Sequence, residues 1–401
     1  MQFEFASAAR IIFGDGSAGQ LPQLARDTGG RALLITDSFQ PESVERLIDA
    51  LRDDNLPITH YSVSGEPTVD VIDEAKGIAS AAGCDHVISI GGGSVIDTGK
   101  ASAALIPNEG DLLNYLEVIG AGRRLLADPL PFIALPTTAG TGAEVSKNAV
   151  LGSKAHRVKV SLRDNRMLAN IALVDPQLTH SLPPAVTAST GMDALTQVLE
   201  PFVSHLANPL TDGMCAEGLR RAGRSLRTVY HEPGHADARR DMALTSLLGG
   251  LALANAKLGA VHGFAGVLGG MYNAPHGAIC AALLPPVIDA NIKALNAREP
   301  HNPALKRYEY AAQFLLDGRV SAGQCLRDPA PPFDRRATTN DALDWISETS
   351  GMFGIPGLGA YGLREDDFDE IVEKSSASSS MKGNPIVLNA EEMKAILKAA
   401  L

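Results

Sequence analysis

Four short runs of aliphatic and β-branched residues, 31–37, 86–90, 132–135 and 171–174, are spaced through the first 180 residues with helical stretches between them. Apolar runs of this length, without polar alternation, belong in a sheet covered on both faces. The helical spacers have the length of parallel crossovers. After Asp175-Pro176 the pattern changes: residues 183–290 carry Ala/Leu-rich helical periodicity with no convincing strand, and the tail from about 340 reads the same way. A chain of 401 residues exceeds one ordinary core. The expectation is therefore two domains: residues 1–180, α/β with a Rossmann-like parallel sheet, and residues 181–401, all-α. The stretch 295–340, polar and carrying Pro300, Pro303, Pro329, Pro331 and Pro332, reads as a surface excursion.

A net charge of −11 argues against a nucleic-acid partner, which demands concentrated Lys and Arg. The four cysteines, Cys84, Cys215, Cys280 and Cys325, are far apart and form no CxxC pair. That spacing speaks against a disulfide framework or a thiolate zinc site and fits a reducing cytoplasm. The N-terminus lacks the basic start and apolar core of a signal peptide. The apolar stretch 246–272 includes Asn255, Lys257 and His262, so it reads as helix buried in protein rather than a membrane span.

Gly91-Gly92-Gly93-Ser94 follows the second apolar run and opens a helix over 95–105. Glycines let the backbone turn sharply and bring bare N–H groups to an anion, with Ser94 placed to cap the helix. The same residues would also make a plain strand-to-helix turn. Gly14-Asp15-Gly16-Ser17-Ala18-Gly19 formally fits GxGxxG, but Asp15 puts negative charge where a phosphate would sit, and it reads as a loop. Asp37 ends a run where a carboxylate can accept hydrogen bonds from a ribose diol, which favours NAD over NADP; a helix cap is the alternative. The Pro136–Glu144 segment, PTTAGTGAE, offers small hydroxyls on a glycine-flexed loop suited to phosphate or ribose.

Asp193 and Gln197, at i and i+4 of a helical run, share one face. His262 and His276 follow in segments expected to be helical, with His276 directly after Pro275 where a helix can begin. One carboxylate, one amide oxygen and two imidazoles would make a divalent-cation site. His231-Glu232-Pro233-Gly234-His235 fits HExxH, but Pro233 and Gly234 deny it the continuous helix that motif needs.

Taken together and in order, these segments resemble the iron-containing (group III) alcohol dehydrogenases. The likeness is carried by Ile12-Phe13-Gly14, Thr36-Asp37, Gly91 to Lys100 (GGGSVIDTGK), Pro136 to Glu144, and Val174-Asp175-Pro176. It continues through Gly191-Met192-Asp193-Ala194-Leu195, Pro275-His276-Gly277 and Met381-Lys382-Gly383-Asn384-Pro385. The resemblance implies a dehydroquinate-synthase-like fold, with a nucleotide-binding domain over 1–180 and a helical metal- and substrate-binding domain over 181–401. By the same likeness, Asp37 holds the adenosine ribose, Gly92, Gly93 and Ser94 the pyrophosphate, and Thr137, Thr138, Thr141 and Lys159 line the cofactor. Asp193, His262 and His276 fall on metal-ligand positions, for Fe(II) or Zn(II).

Two departures stand out. The family's usual second metal ligand is a histidine where this chain has Gln197, and a further histidine often found four residues after the third ligand is here Gly266. The implied activity is NAD(P)-dependent interconversion of an alcohol and an aldehyde or ketone, the metal acting as Lewis acid, in a cytoplasmic homodimer or larger assembly. Alternatives on the same fold are maleylacetate-reductase-like reduction of an unsaturated oxo-acid without strong metal dependence, a lyase like dehydroquinate synthase, and a nucleotide-binding protein without catalysis.

Overall fold

The computed structural model describes residues 2–117, 119–153, 156, 158–272, 274–317 and 337–401. The chain divides into two compact units, one of Ala6–Thr138 with Gly142–Ser181, the other of Leu182–Leu401 with Ala139–Thr141 and the first five residues.

The first unit is built on six parallel strands: β1 (Arg10–Phe13), β2 (Ala32–Asp37), β3 (Ile58–Val63), β4 (His86–Gly91), β5 (Phe132–Pro136) and β8 (Ile171–Val174). Their order is β1-β8-β5-β4-β2-β3. Strands β4 and β5 are buried along their whole length, and only Asp37 of β2 is exposed, which explains their unbroken apolar character. The two strands that sequence reasoning missed, β1 and β3, lie at the sheet edges and are half-exposed; Thr59, His60 and Ser62 face partial solvent in β3, so no apolar run marks it. Also unforeseen is the antiparallel hairpin of β6 (Asn148–Ser153) and β7 (Val158–Arg163).

Helices α1 (Leu21–Thr28) and α2 (Glu42–Asp53) bury Leu21, Leu24, Val44, Ile48 and Leu51 against Leu34, Ile88 and Ile133 of the sheet. Helices α3 (Val69–Ala82) and α4 (Gly93–Leu105) join the hairpin in a second apolar cluster through Ile72, Ala101, Leu105, Leu151 and Leu162. From β2 the chain passes to β3 on one side, then returns to β4 on the other. The carboxyl ends of β2 and β4, Asp37 and Gly91, therefore flank the topological switch point, the crevice where open α/β sheets bind ligands. The rival glycine turn is occupied from within: the Ala18 amide donates to Asp175 Oδ2 at 3.0 Å, so a carboxylate of the chain itself sits where an anion would.

The second unit is helical: α5 (Pro184–Val203), α6 (Pro209–His231), α7 (Ala236–Ala256), α8 (Ala260–Met271), α9 (His276–Arg298) and α10 (Ala304–Asp317), then helices Thr339–Met352, Phe368–Ala377 and Ala390–Ala399. They enclose one apolar core to which α5, α6, α8, α9 and α10 all contribute. Three expectations are corrected here. The stretch 246–272 is two helices rather than one, bent by 99° at a break where Lys257 takes φ 59. Residues 304–317 are no surface excursion: α10 buries Ala304, Tyr308, Ala311 and Leu315 on a regular helical stripe, and residues 318–336 of the excursion lie outside the described residues. The helix after the glycines starts at Gly93, two residues earlier than read. Among the described residues one helix, α9, is long and apolar enough by itself to cross a membrane, and 61% of its most apolar window is buried within the protein. The HExxH segment spans the end of α6 and the N-cap of α7, so its two histidines share no helix.

Candidate active site

Gly92, not Ser94, is the N-cap of α4, and no side chain caps it. The first hydrogen bond back to the cap comes from Ile96 N to Gly92 O at 3.0 Å, leaving the earlier amides of the turn without intrahelical partners and aligned with the positive end of the helix dipole. A Cβ on Gly92 would come 3.3 Å from Thr138 Cγ2, and the Thr137 amide donates to Gly91 O at 3.0 Å. The two glycine loops thus lie directly against each other. Behind them Lys100, fully buried, donates from Nζ to Ala143 O at 2.6 Å, Ser146 Oγ at 2.9 Å and Asn148 O at 2.8 Å. Burial pushes its pKa down, while those three acceptors pin the end of the PTTAGTGAE loop onto α4.

Asp37 is exposed and accepts the Phe39 amide on Oδ1 at 3.0 Å, which leaves Oδ2 open to solvent at the switch point. Asp37 does not cap the next helix, whose N-cap is Pro41; its carboxylate instead holds the turn at Phe39. Lys159, on β7, pairs with Glu66 at 3.0 Å. Of the three threonines, Thr137 and Thr138 belong with the glycine turn, whereas Thr141 clusters with the helical unit.

In that unit α5 carries Asp193, Gln197 and Glu200 at i, i+4 and i+7, all buried and on one face. His262 lies in the first turn of α8, and His276 is the first residue of α9 after the N-cap Pro275. Gly277 brings α9 into place: a Cβ there would overlap the Ser189 carbonyl of α5. His262 Nε2 then lies 3.2 Å from Asp193 Oδ1, and His276 Nε2 lies 3.8 Å from the same oxygen. The other face of His262 is held by Glu200, whose Oε2 is 2.7 Å from Nδ1, while Oε1 accepts the Val261 amide at 2.7 Å.

Two residues at this cluster escaped the sequence reading. Glu200 could have been found from its i+7 spacing to Asp193, and Cys280 from its i+4 spacing to His276. Cys280 Sγ lies 3.7 Å from His276 Nε2 and 3.9 Å from His262 Nε2. Cysteine spacing gave no sign of this neighbourhood: Asp193, His262, His276 and Cys280 bring one ligand atom each within 4.8 Å of one another. Gln197 is oriented by a 2.7 Å bond from Nε2 to the Gly140 carbonyl, with Oε1 accepting no hydrogen bond among the described residues. Gly266 has open space where a side chain would project.

The electrostatics suit a cation. Burial alone would raise the Asp193 pKa, but the charge of His276 and the hydrogen bond from His262 hold it below the usual carboxylate range. Burial would lower the pKa of His262, yet Cys280, Asp193 and Glu200 raise it well above the ordinary value; His276 shifts up too, against burial, through Cys280 and Asp193. Negative donors outweigh desolvation at both rings, so the cluster holds positive charge, as protons or as a metal that displaces them. The donor set fits such an ion: four-coordinate ligation with bonds of about 2.0–2.1 Å spaces nitrogen and oxygen donors about 3.3 Å apart, and a carboxylate behind the imidazole fixes its tautomer.

A switch-point glycine cradle and a buried carboxylate–imidazole cluster define a nicotinamide-linked, metal-dependent dehydrogenase of dehydroquinate-synthase-like fold. Residues 8–176 match the iron-containing alcohol dehydrogenase family, and residues 187–401 match the C-terminal domain of the Fe-containing alcohol dehydrogenase family. The chain is 33% identical over 397 residues to 1,3-propanediol dehydrogenase of Klebsiella pneumoniae, spanning 97% of this chain and 96% of that one. To alcohol dehydrogenase 4 of Schizosaccharomyces pombe it is 31% identical over 395 residues, 97% and 87% of the two chains. A solved structure of 1,3-propanediol oxidoreductase matches with a TM-score of 0.88 at 30% identity, covering 100% of both chains. The chain belongs to the iron-containing alcohol dehydrogenase family. It is an NAD(P)-dependent oxidoreductase that interconverts alcohols with aldehydes or ketones and uses a divalent metal.

Proposed function

We propose that Asp193, His262 and His276 hold the catalytic metal, iron(II) or zinc(II), with the Gln197 amide oxygen as a flanking donor, and that the substrate is a small primary alcohol or its aldehyde. The convergence of three ligand atoms on one another, with Glu200 locked behind His262, carries this reading. When bound, the metal supplies Lewis acidity that lowers the alcohol's pKa, and the nicotinamide takes the hydride. Glu200 keeps the proton of His262 on Nδ1, leaving the Nε2 lone pair for the metal. Asp193 adds the negative charge that favours a divalent cation.

On the nucleotide side, the amides following Gly92 and Gly93, with Ser94, receive the pyrophosphate, while Thr137, Thr138, Thr141 and Lys159 line the remainder of the cofactor. Asp37 Oδ2 accepts from the adenosine ribose and repels a 2′-phosphate, which selects NAD over NADP. No imidazole stands at Gly266, so the substrate proton leaves through water or the cofactor ribose. Residues 1–180 then form the nucleotide-binding part and 181–401 the metal- and substrate-binding part, in a cytoplasmic homodimer or higher homo-oligomer. The name of one relative, 1,3-propanediol dehydrogenase, supports a small alcohol, while that of another, long-chain-alcohol dehydrogenase 1, supports a longer one, so an aldehyde panel must span both.

The test is metal analysis of the purified protein with NADH-linked assays on a panel of aldehydes, before and after chelation. Metal near stoichiometry and chelator-sensitive NADH oxidation are expected. Full turnover in metal-stripped protein would overturn the reading.

A further inference from the structure

We propose that Cys280 is a thiolate ligand of the same metal, so that the site is a carboxylate–imidazole–imidazole–thiolate set that selects zinc. The inference rests on the metal reading above and extends it to a donor of a different chemical kind.

Cys280 is buried with no exposed surface, on the same face of α9 as His276 and one turn further along. Its sulfur lies 3.7 Å from His276 Nε2 and 3.9 Å from His262 Nε2. A tetrahedral ion bound by nitrogen at about 2.0–2.1 Å and sulfur at about 2.3 Å sets those donors about 3.6 Å apart. The observed separations are those of ligands around one ion, and each is longer than a strong hydrogen bond to nitrogen requires. The two imidazoles turn the same atoms, Nε2, toward the sulfur and toward Asp193 Oδ1. All four donors therefore face a common centre rather than pairing off.

The contrast with Cys215 separates this from ordinary core packing. Cys215 is equally buried in the same apolar core, but among the described residues it joins no group of metal-ligating side chains, whereas Cys280 stands with Asp193, His262 and His276. Binding at Cys280 breaks the S–H bond heterolytically, releases the proton to solvent and forms the metal–sulfur bond, with no change of oxidation state. A soft thiolate favours zinc over the harder divalent ions, and the amide oxygen of Gln197 is too weak a donor to offset that preference. Were all four side chains to hold zinc, a substrate oxygen would bind as a fifth donor, a coordination number zinc can take.

The experiment uses the full-length protein stripped of metal and reloaded with cobalt(II) or zinc(II). Cobalt should give an intense near-ultraviolet thiolate-to-metal charge-transfer band, lost in Cys280→Ser and Cys280→Ala but kept in Cys215→Ala. X-ray absorption of the zinc form should show a sulfur shell at about 2.3 Å beside the lighter donors. The wild-type spectra decide the matter even where a variant fails to fold. Cobalt bound without that band, and a zinc shell of nitrogen and oxygen alone, would overturn the thiolate while leaving the Asp193–His262–His276 site standing. Failure to bind either ion would overturn both.

Discussion

Glu200 Oε2 lies 2.7 Å from His262 Nδ1, and the opposite nitrogen of that ring lies 3.2 Å from Asp193 Oδ1. A carboxylate only accepts, so without a metal the raised imidazole donates to both carboxylates; with a metal at Nε2, Glu200 would retain the Nδ1 proton and leave the Nε2 lone pair for the ion. Outer partners of this kind raise ligand basicity and hold the ring in place. Glu200→Gln keeps an acceptor for the Val261 amide but removes the charge. It should weaken zinc affinity roughly 10–100-fold in chelator competition, with the circular dichroism spectrum unchanged. Unaltered affinity would confine Glu200 to holding the start of α8.

Gln197→His should tighten metal retention, because imidazole donates more strongly than an amide oxygen to late transition metals. The change also removes the 2.7 Å bond to the Gly140 carbonyl, a loss of about 1 kcal/mol, so a slightly lower Tm is expected alongside the tighter metal. Turnover need not rise, since Gly266 still offers no proton carrier. Metal content and chelator sensitivity equal to wild type would place Gln197 outside the ligand shell.

Asp37→Gly should narrow the preference between NAD and NADP, chiefly by improving NADP binding, because a 2′-phosphate no longer meets a carboxylate at the end of β2. Nucleotide titrations followed by NAD(P)H fluorescence measure this directly. A wild-type protein that already prefers NADP would remove the basis for the assignment.

Asp241 anchors α7 to α6 by accepting from Arg221 Nη1 at 2.6 Å, Arg224 Nε and Nη2 at 2.6 and 2.7 Å, and Ser225 Oγ at 2.6 Å. Burial raises its pKa, but the bonds from Arg224 and Ser225 and the guanidinium charges bring it below the ordinary value of 3.8. A depressed folded-state pKa contributes stability that is complete above the unfolded value and fades as pH falls through the folded one. Asp241→Asn should therefore cost less near neutrality than the about 3–5 kcal/mol of breaking a fully buried pair, since the arginine partners are part-exposed. The gap to wild type should close below about pH 4. Urea unfolding at a series of pH values checks both statements; a gap that stays constant with pH would assign the effect to packing.

Much of this protein was legible because its signals are local. The buried strands β2, β4, β5 and β8 announce themselves by unbroken apolar runs, since both sheet faces are covered. Helix α9 begins at His276 because Pro275 ends what precedes it, and Asp193 and Gln197 share a face because helical periodicity requires it. Edge strands were illegible for other reasons: β3 is half-exposed and carries polar residues in no diagnostic pattern, and β1, Arg10–Phe13, is only four residues long and leads into a glycine turn.

Tertiary structure decided what stands next to what. Spacing alone puts Glu200 seven residues beyond Asp193 and Cys280 four beyond His276, but it does not say which faces of α5 and α9 are turned inward. That orientation follows from close packing. Gly277 lets α9 rest on the Ser189 backbone, and the turn at Lys257 swings α8 so that His262, 69 residues from Asp193, meets it at 3.2 Å. Sequence determines which donors each helix carries, because helix geometry is set within a few residues. Whether those donors meet depends on how whole helices bury their apolar faces, an energy spread over the entire core.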